Sequence, residues 1–358
     1  MRIKVFGAAG LMILALLSGC YAGKQDQVQL PESKSNVQIG AYYFDGWTGK
    51  TTHIRDAFVN YPEREPIWGG FVTSTPELVA KQIDLAADAG LDFFSFCWYF
   101  DSKNNSDELP MNNALKLYLQ APNHSRLKFY LMVANHKGFY IAPENWAQIK
   151  NYWLQAAKDS QYLTVNGKPL LVFFEFKQML ENFGSKQALR QALLSLKQEA
   201  KNEGLKGLTI GVCIWPGSNN LQDAVDCGFD LFTGYNYPGS GLVGLLTPIQ
   251  HMADEEYKVW EQLKKNRLPY IPVSTLNWDI RPWSSNTTTE KRFVGYGEQS
   301  VMHSVEGMKK WLMQNGSFTT KEKIGVVYAW NEYGEGSWLT PSLPLKDSLL
   351  NGVRRVLK

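Results

Sequence analysis

Eight short apolar runs, each followed by a segment of helical periodicity, constrain the fold of this chain more than any other feature. The runs fall between residues 37 and 358, and nearly every position in them is apolar, which is typical of parallel strands covered on both faces. Eight strand–helix units predict an α/β protein with a single-domain (β/α)8 TIM barrel. The predicted strands are 37–44, 91–100, 127–134, 170–176, 208–214, 229–234, 270–276 and 324–330.

The segments between these runs carry helix and turn signals. The first predicted helix has Thr75 as its cap, Pro76 as its first residue and Gly90 just after its end, each a preferred residue at that position. Asn166-Gly167 predicts a tight hairpin turn within residues 162–169. The other predicted helices cover about residues 111–119, 143–160, 186–202, 220–226, 248–265, 304–315 and 345–357.

A doubly wound open sheet is the alternative arrangement of the same elements. Such sheets often bind nucleotides, and no G-x-x-x-x-G-K-[ST] phosphate loop follows any predicted strand. The strand count and the lack of that loop favour the closed barrel.

The first twenty residues predict export and a lipid anchor. Arg2 and Lys4 precede an apolar stretch, residues 5–17, that is too short for a membrane span. The sequence L-S-G-C ending at Cys20 resembles a bacterial lipoprotein signal, in which the cysteine is lipidated. We therefore expect a signal peptide at 1–19, a lipidated N-terminus and flexible tether at 20–36, and the barrel at 37–358. A simple cleaved signal with a chance cysteine is the alternative.

This reading predicts a lipid-anchored protein of the cell envelope, periplasmic or on the outer-membrane surface, and its only membrane contact would be the N-terminal lipid. Without Arg2 and Lys4, 35 basic residues oppose 34 acidic ones, so no basic field for nucleic acid is expected. We expect a monomer.

Cysteine and histidine usage gives no sign of a metal or a cofactor. Cys97, Cys213 and Cys227 are an odd number beyond Cys20, which excludes a disulfide framework and favours buried thiols. The five histidines lack the spacing of metal ligands. We expect no metal and no cofactor.

Residues 326–342, V-V-Y-A-W-N-E-Y-G-E-G-S-W-L-T-P-S, form the most informative stretch. Glu332 and Glu335 follow the eighth predicted strand, so a barrel would place both at its mouth. Glycosidic cleavage needs a proton donor and a second carboxylate. Gly334 and Gly336 are expected to supply the backbone freedom that turns both acids inward.

The other predicted strand ends are rich in aromatic and polar side chains. Aromatic faces suit the C–H faces of sugar rings, and polar groups suit neighbouring hydroxyls; Tyr42, Trp98 and Trp215 are as readily core residues. The candidate substrate-binding residues are Tyr42, Tyr43, Asp45, Trp47, Trp98, Tyr99, Asn135, His136, Lys137, Glu175, Tyr235, Tyr237, Trp278, Asp279, Arg281, Trp330, Asn331, Tyr333 and Trp338.

Three stretches resemble one family. W-N-E-Y-G-E-G at residues 330–336 resembles the W-N-E-W-x-E-G motif of the family 99 glycoside hydrolases and the related WbsX-type proteins. Residues 40–47 resemble that group's opening Y-Y-x-x-W strand. Residues 278–279 with Arg281 resemble a W-D-N-x-x-R region of the WbsX-like members, and Asn135 stands where those members have A-N-E.

The resemblance implies an exported or Golgi-type enzyme that cleaves α-mannosidic bonds within a chain and retains the anomeric configuration. One glutamate would deprotonate the sugar's 2-hydroxyl, which gives a 1,2-anhydro sugar, and the other would protonate the leaving group. Carried onto this chain, Glu332 is the base and Glu335 the general acid/base. Barrel position alone suggests Glu175, and either Tyr235 or Tyr237, beside the same sugar.

The chain also departs from the family pattern. Tyr333 replaces a tryptophan, Gly334 a larger residue and Thr340 an acid, while residues 136–137 replace the acid of A-N-E. Both essential glutamates are kept, so we expect a glycoside hydrolase acting on a polysaccharide or glycan. A non-catalytic glycan-binding lipoprotein and a glycosyltransferase, as WbsX-like proteins are often labelled, are the alternatives.

Overall fold

The computed structural model describes residues 37–219 and 221–358, and it contains the predicted barrel. The predicted signal peptide and tether lie outside the described residues. Eight strands run parallel, in the order β6-β5-β4-β3-β2-β1-β8-β7. They are β1 Gln38–Tyr43, β2 Phe93–Trp98, β3 Lys128–Val133, β4 Lys168–Phe173, β5 Thr209–Cys213, β6 Leu231–Thr233, β7 Val273–Thr275 and β8 Ile324–Tyr328.

The barrel closes between β6 and β7 through a few bonds rather than a full ladder. The amide of Phe232 donates to Pro269 O, and that of Ile271 donates to Phe232 O, each at 2.9 Å. Further along β7, the amide of Thr275 donates instead to the buried Glu256 carboxylate at 2.5 Å. The prediction of a (β/α)8 barrel is confirmed, and β7 is shorter than the predicted 270–276.

Helices surround the strands largely as predicted. Thr75 caps the first helix by accepting from the Leu78 amide at 3.3 Å, and Gly90 follows it with φ 94°. Across residues 37–219 and 221–358, no helix is long and apolar enough to cross a membrane. The helices are α1 Pro76–Ala89, α2 Asn113–Gln120, α3 Pro143–Ala156, α4 Phe176–Phe183, α5 Lys186–Asn202, α6 Leu221–Cys227, α7 Pro238–Gly241, α8 Gln250–Leu263, α9 Glu298–Gln314 and α10 Ser348–Leu357, with 3-10 turns at Asp56–Asn60, Pro62–Arg64, Pro110–Asn112, His124–Arg126 and Arg281–Trp283.

Two predicted boundaries were wrong. The fourth strand ends at Phe173, and the apolar residues after it begin α4, because its buried positions Phe176, Met179 and Phe183 recur at helical spacing. A short apolar run does not separate strand from helix by periodicity alone. Helix α9 begins at Glu298, six residues before its predicted start, on the polar residues that sequence reasoning gave to a loop.

Short strands complete the structure. Thr164–Val165 pairs with β4 across Asn166 and Gly167, whose φ values are 52° and 73°, so the predicted hairpin is confirmed. Leu246–Pro248 pairs with Arg292–Val294. Asn331–Glu332 pairs with Ser337–Trp338 in an antiparallel hairpin, which we call the acid hairpin because it carries both glutamates.

Candidate active site

The acid hairpin follows β8 and is fixed to the loop after β1. Asn331 Oδ1 accepts from the Phe44 amide at 2.9 Å, and Asn331 O accepts from Trp47 Nε1 at 2.7 Å. The asparagine is fully buried, so its side chain serves as a backbone partner rather than as a sugar ligand. These bonds fix the start of the acid hairpin at the residue directly before Glu332.

The two glycines of the hairpin have different roles. Gly336 has φ 77°, a left-handed conformation that favours glycine, as predicted. Gly334 lies instead under the indole of Trp283, and a Cβ on it would come within 2.0 Å of that ring. The expectation that Gly334 supplies backbone freedom was therefore wrong, since its φ is not positive and its missing side chain instead makes room for Trp283.

Glu332 is buried, and only one of its two carboxylate oxygens accepts a hydrogen bond from the described residues. Its Oε1 accepts from the Tyr235 hydroxyl at 2.6 Å. Its Oε2 is buried without a hydrogen-bond partner among the described residues. Burial, and then the charge of Glu335, raise the pKa of Glu332 well above its ordinary value, and the bond from Tyr235 opposes this rise.

Glu335 is half-buried beside it. Its Oε2 accepts from the Tyr328 hydroxyl and, at 3.4 Å, from Asn236 Nδ2. Burial raises the pKa of Glu335 to about 7, and the bond from Tyr328 limits the rise. Burial and mutual repulsion disfavour two neighbouring charged carboxylates, so each acid favours its neutral form more than an exposed glutamate does.

Three tyrosines form the floor beneath the acids. The rings of Tyr235 and Tyr328 lie 4.8 Å apart between centroids, and Tyr42 lies 4.9 Å from Tyr235 on the other side. Cys97 Sγ is 3.7 Å from the Tyr235 hydroxyl. Tyr42 and Tyr235 were among the predicted site residues, whereas Tyr328, Cys97 and the binding role of Asn236 were missed.

The sequence offers only a weak signal for Tyr328, its position four residues before Glu332 at the end of the last strand. Because that strand is apolar throughout, the residue is predicted to belong to the core. Side chains at i and i+2 of a strand share a face, but the sequence does not say which face of an all-apolar strand points inward.

Aromatic rings line the wall on the side of β2, β3 and β4. Phe174 lies 5.5 Å from Tyr235 and 5.8 Å from His136, and His136 lies 6.1 Å from Tyr99. Trp215 packs on Phe174 at 5.4 Å. These contacts connect the predicted residues Tyr99 and His136 to the floor of the mouth.

Other predicted residues near this wall have different surroundings. Asn135 is buried, and its amide bonds both backbone groups of Glu175, at 2.7 and 3.0 Å. Glu175 itself is half-buried, and Lys137 is exposed. Asn135 therefore fixes the turn after β4 and is not free to bind a ligand with those atoms.

Three predicted ligand residues face the helices instead of the mouth. Tyr43 and Trp330 both donate to Gln82 Oε1 on α1, at 3.2 and 2.9 Å. The ring of Trp98 packs on Tyr152 of α3 at 5.2 Å. These predictions were wrong because neighbouring strand residues point to opposite faces, which puts Tyr42 inside the barrel and Tyr43 outside it.

A second group packs beneath the acid hairpin. Trp47 and Tyr333 lie 4.9 Å apart, and the Tyr333 hydroxyl is 2.8 Å from Thr340 Oγ1. Trp338 packs on Tyr296 at 5.2 Å. All three predicted aromatics are buried, so they support the hairpin from below and do not line the mouth.

Asp45 and Tyr237 are also placed away from the acids. Asp45 Oδ2 accepts from Ser74 Oγ at 3.0 Å and from the Ala114 amide at the start of α2 at 2.5 Å. Burial raises the pKa of Asp45 to about 7. The hydroxyl of Tyr237 is 3.0 Å from that of Tyr270, so Tyr235 is the tyrosine after β6 that meets the acids.

The predicted Asp279 and Arg281 belong to a buried ion cluster. Arg281 binds the Asp279 carboxylate through Nε and Nη2, and Arg64 Nη2 binds it at 2.6 Å. The amide of Asp279 donates to Glu335 O at 2.7 Å, while the neighbouring Trp278 is half-buried. The cluster positions Glu335 through its backbone, and sequence reasoning missed Arg64.

In the part of the chain that the structure describes, no group of three or more His, Cys, Asp and Glu side chains could hold a metal. Residues 239–244, G-S-G-L-V-G, have the spacing of a dinucleotide-binding loop, which the prediction from sequence missed. They lie partly in the single turn of α7 and lead into a short strand, whereas a dinucleotide loop opens a long helix.

Comparison with solved structures shows the same fold in carbohydrate-active proteins. A glycoside hydrolase-like protein superposes with a TM-score of 0.65 at 14% identity, over 90% of this chain and 94% of that one. The GH99 endo-alpha-mannosidase from Bacteroides thetaiotaomicron superposes with a TM-score of 0.61 at 15% identity, over 91% and 97%. Comparison with curated protein sequences gives no significant match.

The family is shown by the sequence itself. The family model described as Glycosyltransferase WbsX matches residues 47–353, which include the acid hairpin, the ion cluster and every strand except β1. The resemblance seen in W-N-E-Y-G-E-G is therefore confirmed over most of the chain. This protein is a member of the WbsX family, built on the TIM barrel that it shares with a GH99 endo-alpha-mannosidase.

Proposed function

We propose that this chain is a glycoside hydrolase that cleaves internal bonds of a polysaccharide or glycan, with endo-α-mannosidase-like action and retention as the leading case. One observation carries the proposal. Glu332 and Glu335 meet at the barrel mouth, where a tyrosine hydroxyl holds one oxygen of each, and Glu332 Oε2 has no hydrogen-bond partner among the described residues. Two neighbouring carboxyl groups, one to donate a proton and one to act as the second carboxylate, are what acid–base cleavage of a glycoside requires.

The proposed roles of the two acids follow the family resemblance. Glu332 Oε2 would take the proton of the sugar's 2-hydroxyl, whose oxygen attacks the anomeric carbon. The leaving oxygen takes the proton of Glu335 as the glycosidic bond breaks. In the second step Glu335 takes a proton from water, the water oxygen opens the 1,2-anhydro ring at the anomeric carbon, and Glu332 returns its proton to the 2-oxygen.

The pKa shifts of the two acids bear on this division of work. A pKa of Glu335 of about 7 lets it donate a proton in the first step and accept one in the second near neutral pH. Burial and the charge of Glu335 favour the neutral form of Glu332, whereas a base needs the charged form, and the hydrogen bond from Tyr235 favours that charged form. The aromatic wall of Tyr99, His136 and Phe174 offers apolar faces to sugar rings.

Turnover of glycans tests the proposal. We would incubate residues 21–358 with a panel of α-mannans and other polysaccharides, measure new reducing ends, and record by NMR the first anomer released. Retention and mid-chain products are expected. Glycan binding without new reducing ends would leave a non-catalytic binding protein as the answer.

Two variants separate the roles of the acids. Glu335→Gln should abolish cleavage of natural glycans and spare activated aryl glycosides, which need little acid help. Glu332→Gln should abolish both. Glu181→Gln, an exposed position on α4, is the matched control and should match wild type. Equal loss on both substrates in Glu335→Gln would contradict its role as the acid.

A glycosyltransferase is the second candidate, because the matching family model carries that description. The same assay decides between the two when nucleotide sugars and an acceptor glycan are added. Sugar transfer that depends on the nucleotide donor would favour the transferase, whereas reducing ends formed without a donor favour the hydrolase.

A further inference from the structure

The carboxylate of Glu335 has two chemically different oxygens in this structure. Oε2 accepts from the Tyr328 hydroxyl and from Asn236 Nδ2. Oε1 makes no hydrogen bond within residues 37–219 and 221–358, and the residue is partly exposed. One oxygen is therefore held by the barrel, and the other has no partner in the described part of the chain.

We propose that Tyr328, assisted by Asn236, is a positioning residue that keeps the transferable proton of Glu335 on Oε1. An oxygen that already accepts two hydrogen bonds is the poorer place for a proton, since protonation would force a donor to face a donor. The proton therefore resides on Oε1, which faces the substrate. This inference rests on the proposed function, in which Glu335 gives that proton to the leaving group.

The tyrosine is suited to this task because it stays a donor. Tyr328 is fully buried in β8, and burial together with the charges of Glu332 and Glu335 raises the pKa of its phenol well above the ordinary value. Its ring packs at 4.8 Å on Tyr235, the donor to Glu332. The ends of β6 and β8 thus supply one fixed donor to each acid.

The hydrogen bond from Tyr328 to Glu335 also affects the relative rates of the two steps of the proposed reaction. Because it stabilises the charged carboxylate, it keeps the pKa of Glu335 lower than burial alone would set it. A group that acts first as acid and then as base works best with a pKa near the working pH. Without Tyr328, Glu335 would hold its proton more tightly, and the second step would slow.

Tyr328→Phe tests the inference, since it removes only the hydroxyl. In the full chain labelled with carboxyl-13C glutamate, NMR titration follows Glu335, whose signal is assigned by its loss in Glu335→Gln. We expect the titration midpoint to rise by about one pH unit. We also expect the alkaline limb of kcat/KM to move upward by the same amount, kcat at pH 7 to fall about tenfold, and KM to stay unchanged.

Tyr270→Phe is the matched control, because Tyr270 is an equally buried tyrosine bonded to Tyr237 and not to an acid. It should leave both the midpoint and the pH profile unchanged. Asn236→Ala removes the second donor from a half-exposed loop position and should shift Glu335 in the same direction by less, which keeps the test open if Tyr328→Phe fails to fold.

The outcomes are separable from those of the proposed function. An unchanged Glu335 midpoint in both Tyr328→Phe and Asn236→Ala overturns the inference, whatever the activity. A wild-type chain that cleaves no glycan overturns the proposed function, and with it the catalytic purpose of the bond. A shift in Tyr270→Phe as large as in Tyr328→Phe would also overturn the inference, since the effect would then not depend on the hydroxyl at Glu335.

Discussion

The ion cluster behind the acid hairpin gives the most demanding test of how this site is held. Arg64 is 1% exposed, and its guanidinium donates to three acceptors: Asp279 Oδ2 at 2.6 Å, and Asp279 O and Tyr333 O at 2.9 Å each. The amide of Asp279 in turn holds Glu335 O. Arg64→Met would keep the volume of the side chain's stem and remove all three bonds.

The expected cost follows from what the substitution leaves behind. Two buried carbonyls lose a partner, and each unsatisfied group costs about 1–3 kcal/mol. Asp279 keeps Arg281, so its charge is still paired. We therefore expect Arg64→Met to lower the free energy of unfolding by about 2–6 kcal/mol, the cost of two such carbonyls, which is a large share of the total stability of a domain.

The pH dependence gives a second signature. Burial opposes the charged form of Asp279, but the hydrogen bond from Arg281 and the charges of Arg64 and Arg281 outweigh it and lower its pKa below 3.8. A lowered pKa in the folded state means that this stabilisation is present above pH 3.8 and is lost as the pH falls through the folded-state value. The difference between wild type and Arg64→Met should therefore shrink in acid.

Urea unfolding followed by tryptophan fluorescence, at pH values from 7 down to 3, measures both signatures. Lys310→Met, which breaks an exposed pair with Glu306 on α9, is the control and should leave the unfolding midpoint unchanged. If Arg64→Met were as stable as this control at pH 7, the reasoning that a buried arginine supports the acid hairpin would be refuted.

Two further predictions concern the same loops. Gly334→Ala should destabilise the fold by about 1–3 kcal/mol, because its Cβ would meet the Trp283 ring at 2.0 Å. Urea unfolding should show that this cost largely vanishes in a Trp283→Ala background. A cost that is unchanged in that background would point to backbone strain instead. Asp45→Asn should remove a pH dependence of stability: burial raises the pKa of Asp45 from 3.8 to about 7, so its contribution is full below 3.8 and is lost as the pH rises to about 7. Wild type should lose more stability than Asp45→Asn between pH 5 and pH 8, and equal losses would show that Asp45 is charged in the folded protein throughout.

Much of the fold was legible in the sequence because its signals are local. Thr75, Pro76 and Gly90 mark the ends of α1, and Asn166-Gly167 marks a hairpin, through backbone preferences of the residues themselves. Eight apolar runs separated by amphipathic segments leave few architectures other than a closed parallel barrel. The place of Glu332 and Glu335 at its mouth follows from their position directly after the last strand.

The sequence did not show to which side of the barrel each aromatic side chain points. Apolar strands buried on both sides carry no alternation between polar and apolar residues. Nothing in the sequence therefore separates Tyr42, which packs on Tyr235 inside the barrel, from Tyr43 and Trp98, which face helices. For the same reason Tyr328 read as core although its hydroxyl binds Glu335.

The surroundings of the two glutamates were decided by contacts between distant parts of the chain. Arg64 and Asp279 are 215 residues apart, and Tyr235 and Glu332 are 97 apart. Hydrogen bonding and burial, which set the pKa of a carboxyl group, arise only when the barrel brings such residues together. The sequence by itself therefore determined the barrel and the place of two acids at its mouth, and only the tertiary structure decided which oxygen of each acid a tyrosine holds.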